Sequence, residues 1–145
     1  MKYIFLSFFL ITAIPVVAQN HEEEIQAVVN KLFKGMQDAD SNTVASVFMS
    51  DAIMQTIVTS KDNQGIVRQE SVGKFVTSIG RQKAGALNEM IEFDAVKVDL
   101  PLAFVWTPYR FYYNGTFSHS GVNAFCLVQT TAGWKIQYII DTRKK

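Results

Sequence analysis

The sequence predicts an α+β domain, with helices first and a long antiparallel sheet after them. Three observations carry that expectation. Ile25, Val28, Val29, Leu32, Phe33 and Met36 recur at i, i+3, i+4, i+7, i+8 and i+11, the spacing of one helix stripe. From Ile53 onward the apolar period shortens, and four strand-length segments occupy Glu89–Leu100, Leu102–Tyr113, Thr116–Thr130 and Trp134–Arg143. Between two of them stands Asn114-Gly115, the pair favoured by a type I′ hairpin turn because both central residues need positive φ.

The chain begins with an address. Met1-Lys2 gives a short positive start, Tyr3 to Ile14 is an uncharged apolar run, and Val16 and Ala18 are small residues at −3 and −1 of a cut after Ala18. That is the layout of a secretory signal peptide over residues 1–18, too short to span a bilayer. No Cys follows the cut, so no lipid anchor is expected, and the product carries no stable membrane anchor after cleavage. The mature domain would be residues 19–145. Losing Lys2 leaves 13 basic against 13 acidic residues, a formal charge of zero.

Composition narrows the classes further. A single domain fits 145 residues, and 48% hydrophobic with 12% aromatic residues excludes a disordered chain. The formal charge of +1 on the whole chain leaves no excess to hold nucleic acid by counterion release. Cys126 is the lone cysteine, so no internal disulfide forms, and no Cys/His spacing indicates zinc. Neither a metal nor another cofactor is expected.

The first mature helix starts at a capping box, Asn20 with Glu23, and runs from Glu22 to about Asp38. Glu22, Glu23 and Glu24 fall in its first turn, where the helix dipole favours negative charge. Asp40 or Ser41 caps a short second helix through Val44, Val47 and Phe48. Ile53–Ser60 and Ile66–Glu70 read as strands around a turn at 61–65. Ser71 then caps a third helix carrying Val72, Phe75, Val76 and Ile79, closed near Gly80, before a loop over Gln82–Asn88.

The turns set an expected register. Asn114-Gly115 pairs Tyr113 with Thr116, hence Arg110 with His119 and Trp106 with Asn123, unless a bulge intervenes, as at Pro108, which lacks an N–H. A three-residue turn at Thr131-Ala132-Gly133 pairs Thr130 with Trp134 and Asn123 with Asp141. One face then carries Trp106, Arg110, Tyr112, His119, Asn123 and Asp141, with Phe125, Ile139 and Arg143. The other is almost wholly apolar, from Val105, Tyr109 and Phe111 to Ile136, Tyr138 and Ile140. Aromatic walls with a few convergent polar groups are the usual chemistry of a small-molecule pocket.

The stretches Val105-Trp106-Thr107-Pro108-Tyr109, Phe117 to Phe125, Gly133-Trp134-Lys135-Ile136 and Asp141-Thr142-Arg143 resemble the nuclear transport factor 2-like superfamily, with the order of elements agreeing over nearly the whole mature chain. Within it they look most like small secreted bacterial members that carry a lumazine-binding label and belong to the SnoaL-like group. The resemblance implies a cystatin-like cone, a curved antiparallel sheet wrapped around the long N-terminal helix, with a pocket at the open end. It also implies isomerases, cyclases, dehydratases or non-catalytic binders, so the fold does not name the function.

Two function classes stay open. In the first, a secreted or periplasmic domain binds a small organic ligand, with Trp106 and Tyr112 stacking on it and Arg110 and Asn123 orienting it. In the second, the same pocket is that of a cofactor-independent isomerase, cyclase or dehydratase, with His119 or Asp141 as general base. Against these stand plainer readings: His119 as a structural histidine, Asp141 paired with Arg143, and Arg110 paired with Asp141. Three helices cannot cover both faces of so apolar a sheet, so a homodimer through the outer face is expected.

Overall fold

The computed structural model describes residues 16–62 and 64–145, with side chains from Asn20 on. The apolar run expected to be a leader, residues 3–14, lies outside the described residues. The chain order is α1 (Val16–Asp38), α2 (Ser41–Ser46), β1 (Phe48–Thr59), β2 (Gly65–Glu70), α3 (Val72–Ile79), β3 (Leu87–Ile91), β4 (Ala95–Asp99), β5 (Leu102–Tyr113), β6 (Thr116–Thr130) and β7 (Gly133–Thr142). This is the α+β class, a curved, mostly antiparallel sheet against a long N-terminal helix.

Helix α1 buries the expected stripe, with Ile25, Val29, Leu32, Phe33 and Met36 all in the core. Its start differs from expectation: the helix begins by Val16, so Asn20 is an interior residue and not a cap. An interior Asn costs a helix well under about 1 kcal/mol, so nothing at Asn20 stops it. Asp40 caps α2, accepting the N–H groups of Asn42 and Thr43, and Ser71 caps α3. Both caps are positions where the side-chain oxygen satisfies an otherwise orphaned N–H.

The seven strands order as β2-β1-β7-β6-β5-β3, with β4 also on β5. All neighbours are antiparallel except β1 and β7, which run parallel. β1 begins at Phe48, five residues before the alternation shows, because Phe48 pairs with Ile136 across an irregularity that ends at Ile53. The expected strand Glu89–Leu100 is two strands, β3 and β4, interrupted at Glu92-Phe93-Asp94. The interruption faces Pro108, whose missing N–H breaks the ladder; Glu92 and Asp94 instead donate to the carbonyls of Pro108 and Trp106.

Two bulges correct the expected register. The β5–β6 turn pairs Tyr113 with Thr116 as expected, but Ser118 is extra, so Phe111 faces His119, Arg110 faces Ser120 and Thr107 faces Asn123. At the β6–β7 turn Thr130 pairs with Gly133 and not with Trp134, and a second bulge at Gln137 then restores Asn123 opposite Asp141. Each extra residue sends one set of side chains to the opposite face. Trp134 and Ile136 are therefore buried with Phe125 and Leu127, while Ala124 and Cys126 turn outward.

The core lies between α1 and the inner sheet face, where Phe33 meets Phe125 edge-on at 6.2 Å. The outer face keeps large apolar groups in water, among them Phe104 at 36% and Trp106 at 38% exposure. Among the described residues no helix is long and apolar enough to cross a membrane.

Candidate functional site

A cavity of about 200 Å³ opens between α1, α3 and the inner face of the sheet. Its floor is apolar, from Leu32, Phe33 and Met36 of α1, all buried. Phe75 and Ile79 of α3 and Phe111 of β5 complete the walls, and exposed Ser78 and Arg143 stand at its rim. Its polar pole comes from the sheet.

That pole is a row across four strands. The register sets Thr107 beside Asn123, Asn123 beside Asp141, and Asp141 beside Thr56, on β5, β6, β7 and β1. Asp141 is the hub. Its Oδ1 accepts the Thr56 hydroxyl, and its Oδ2 accepts Tyr109 Oη–H at 3.1 Å and Arg143 Nε–H at 3.0 Å. Tyr109 also reaches the Thr142 carbonyl at 3.0 Å. Burial first, then the carboxylates Asp141 and Glu89, push the Tyr109 phenol above its ordinary range, so it stays a neutral donor.

Glu89 is the group the sequence reading passed over. It lies on β3 opposite Phe111, and its Oε1 accepts Asn123 Nδ2–H at 2.8 Å. Asn123 also reaches Thr107 Oγ1 at 3.4 Å. No ion pair involves Glu89 among the described residues. Burial is the main cause that raises its pKa to about 7; the Asn123 hydrogen bond opposes it, Asp141 adds to it, and Arg143 opposes it more weakly. The signal for it was present in Leu87-x-Glu89-x-Ile91, a carboxylate on the apolar phase of a strand whose other phase holds Met90 at 59% exposure.

The expected site residues divide. Asn123 and Asp141 line the cavity. Trp106, Arg110 and Tyr112 do not: they project from the outer face, where Arg110 and Tyr112 border an open groove with Met90, Glu92 and Pro108. The bulge at Ser118 is the reason, since it pairs Asn123 with Thr107 and not with Trp106. His119 shares the inner face but packs edge-on to Tyr109 at 5.7 Å and against Phe111 at 5.0 Å. Its Nδ1 is 3.0 Å from Ser118 Oγ, and it borders a groove outside the rim, not the cavity. Burial and then Arg143 lower its pKa, with Asp141 opposing, so the ring is held in its neutral form.

Asp141 pairs with Arg143, and Arg110 takes no part in that pair. With both Asp141 oxygens already accepting, Glu89 is the carboxylate with an oxygen free of hydrogen bonds at the pole. A carboxyl group near half-protonation at neutral pH can donate to a ligand oxygen or accept its proton. Among the described residues no group of three or more His, Cys, Asp and Glu side chains converges as a metal set.

The chain has the cystatin-like fold of nuclear transport factor 2-like proteins. It superposes on such a protein of unknown function from Shewanella baltica with TM-score 0.67 and 15% identity, covering 90% of this chain and 98% of that one. A cystatin-like domain of unknown function from Nostoc punctiforme gives TM-score 0.66 at 18% identity, over 87% and 78% of the two chains. A protein from Streptomyces avermitilis, named as a candidate dehydratase of the nuclear transport factor 2-like family, gives 0.66 at 13% identity, over 89% and 99%. No family model and no curated protein matches the sequence.

Proposed function

We propose that this chain is a small-molecule-binding domain whose cavity takes a single-ring, largely apolar ligand oriented by the Glu89–Asn123 pole. The observation that supports this is the cavity of about 200 Å³ with an apolar floor and one carboxylate, Glu89, that has no ion pair among the described residues. Size limits the ligand: a dry cavity of about 150 Å³ holds benzene, so this one suits one substituted ring and not four fused rings. Residues 1–18 support export to the periplasm or beyond, and the apolar outer face supports a homodimer.

Titration calorimetry with benzyl alcohol, phenol and a steroid tests the reading. One of the single-ring compounds binds the unaltered chain, the steroid does not, and Met36→Trp, which fills the floor, removes binding. A chain that binds none of the single-ring compounds overturns it.

The pKa of about 7 at Glu89 supports a second reading, a cofactor-independent isomerase, cyclase or dehydratase. Glu89 would then move the proton, in place of the His119 or Asp141 expected from sequence, and Tyr109 and Asn123 would hold the pole in shape. The candidate dehydratase from Streptomyces avermitilis supports this class by fold alone. Glu89→Gln that keeps ligand affinity but abolishes turnover selects it.

A further inference from the structure

Arg143 belongs to two spaces at once. Inside, it stands at the cavity rim; outside, it lines a groove of about 590 Å³ with Ser118, His119, Lys144 and Lys145. Among the described residues no acidic side chain lines that groove. Arg143 and Lys144 do not sit on a loose tail. Ser120 and Lys144 exchange both backbone hydrogen bonds, at 2.9 and 2.8 Å, and Arg143 N–H donates to the Ile57 carbonyl at 3.3 Å.

Gly121 permits this pairing, since an added Cβ there would lie 1.8 Å from the Thr142 carbonyl oxygen. Arg143 spends Nε on Asp141 and Nη2 on Thr56, leaving Nη1 without a hydrogen-bond partner among the described residues.

We propose that the ligand is a single ring bearing an oxyanion, with the ring on the α1 floor and the oxyanion at the rim on Arg143, gathered through the groove of His119, Lys144 and Lys145. This rests on the preceding reading that the cavity binds a small molecule. A cleft lined by one sign of charge concentrates ligands of the other sign at its mouth. The carboxylates behind the rim do not oppose it. Asp141 has its charge paired with Arg143 and its oxygens occupied by two hydroxyl donors. Glu89, its pKa raised to about 7 mainly by burial, takes up a proton readily and then becomes a neutral donor toward the ring substituent.

The test compares three probes of one size on the full chain by titration calorimetry at low and high salt: benzoate, benzyl alcohol and benzylamine. Benzoate binds about ten-fold tighter than either other probe, the return from one charge-assisted hydrogen bond. Added salt narrows that margin as the groove is screened. Arg143→Gln brings benzoate down to the level of benzyl alcohol, and Lys144→Ala with Lys145→Ala weakens benzoate about three-fold while sparing benzyl alcohol.

Equal affinity for benzoate and benzyl alcohol overturns the oxyanion inference and leaves the binding cavity standing. Tighter binding of benzylamine also overturns it, in favour of a cationic ligand on Glu89. Failure of all three probes overturns both. If Arg143→Gln does not fold, the salt dependence and the lysine variant still decide.

Discussion

Along β5 the odd-numbered side chains Val105, Thr107, Tyr109 and Phe111 face the helices, and the even-numbered Phe104, Trp106, Arg110 and Tyr112 face away. Both sets are rich in aromatic residues, and both contain polar groups. They differ in what the polar groups touch. Inside, Thr107 accepts from Asn123, which also donates to Glu89, and Tyr109 donates to Asp141, which Thr56 and Arg143 hold as well. Outside, Arg110 has no ion pair among the described residues and borders an open groove. An aromatic and polar mixture therefore does not mark a pocket. Burial of the polar group together with its partners does, because an unpartnered buried group is costly.

The largest contrast between the two faces comes from removing the hub on one and a charge on the other. Asp141→Ala strands Thr56, Tyr109 and Arg143 together, and should cost about 3–4 kcal/mol, discounted because Arg143 is half exposed. Arg110→Ala, with no partner to strand, should stay within about 0.5 kcal/mol. Urea unfolding of both variants gives the contrast. Similar losses on the two faces would mean that the inner network is not what distinguishes them.

A smaller effect sharpens the account of Glu89. Its folded pKa of about 7 lies above the ordinary 4.5. The folded state thus binds this proton more tightly, and the group's stabilising contribution is complete below about 4.5 and lost as pH rises through about 7. The loss is about 2–3 kcal/mol, reduced from the full shift because the cavity gives water access to one side. Glu89→Gln should remove that slope and exceed the unaltered chain in stability at pH 8. A variant that parallels the unaltered chain from pH 4.5 to 8 would place Glu89 in water, not at a buried pole.

The least effect on folding comes from the outer face. Trp106→Glu should change the unfolding free energy of the monomer by no more than about 0.5 kcal/mol. It should nevertheless convert the proposed homodimer to monomers in light scattering, with the cavity untouched. An unaltered chain that is monomeric at micromolar concentration would remove the dimer and leave the outer aromatic residues without a role.

Most of the elements could be read from local signals, because those signals are local in cause. The α1 stripe, the Asp40 and Ser71 caps and the Asn114-Gly115 turn each depend on residues within a few positions of one another. The site could not be read so directly. Its row of Thr107, Asn123, Asp141 and Thr56 requires the register of three strand pairs, and a bulge at Ser118 and another at Gln137 each shift that register by one. Asn123 opposite Asp141 emerged from the turn pattern only because the tighter turn and the Gln137 bulge offset each other. Trp106, Arg110 and Tyr112 had nothing to offset the Ser118 bulge, and so went to the wrong face.

The class of the domain, the order of its elements and the helix face that becomes the floor of the cavity all follow from local signals along the chain. Side-chain period, capping oxygens and turn glycines act over one or two turns of chain, where the covalent sequence already sets the distances. Which sheet face encloses the cavity, the parallel run of β1 along β7, and the place of Glu89 at the pole, with no ion pair among the described residues, are set by long-range pairing. Those depend on strands dozens of residues apart, where one extra residue reverses every side chain beyond it. They also depend on burial, which turns an ordinary glutamate into a proton-holding group only after the helices have closed over it.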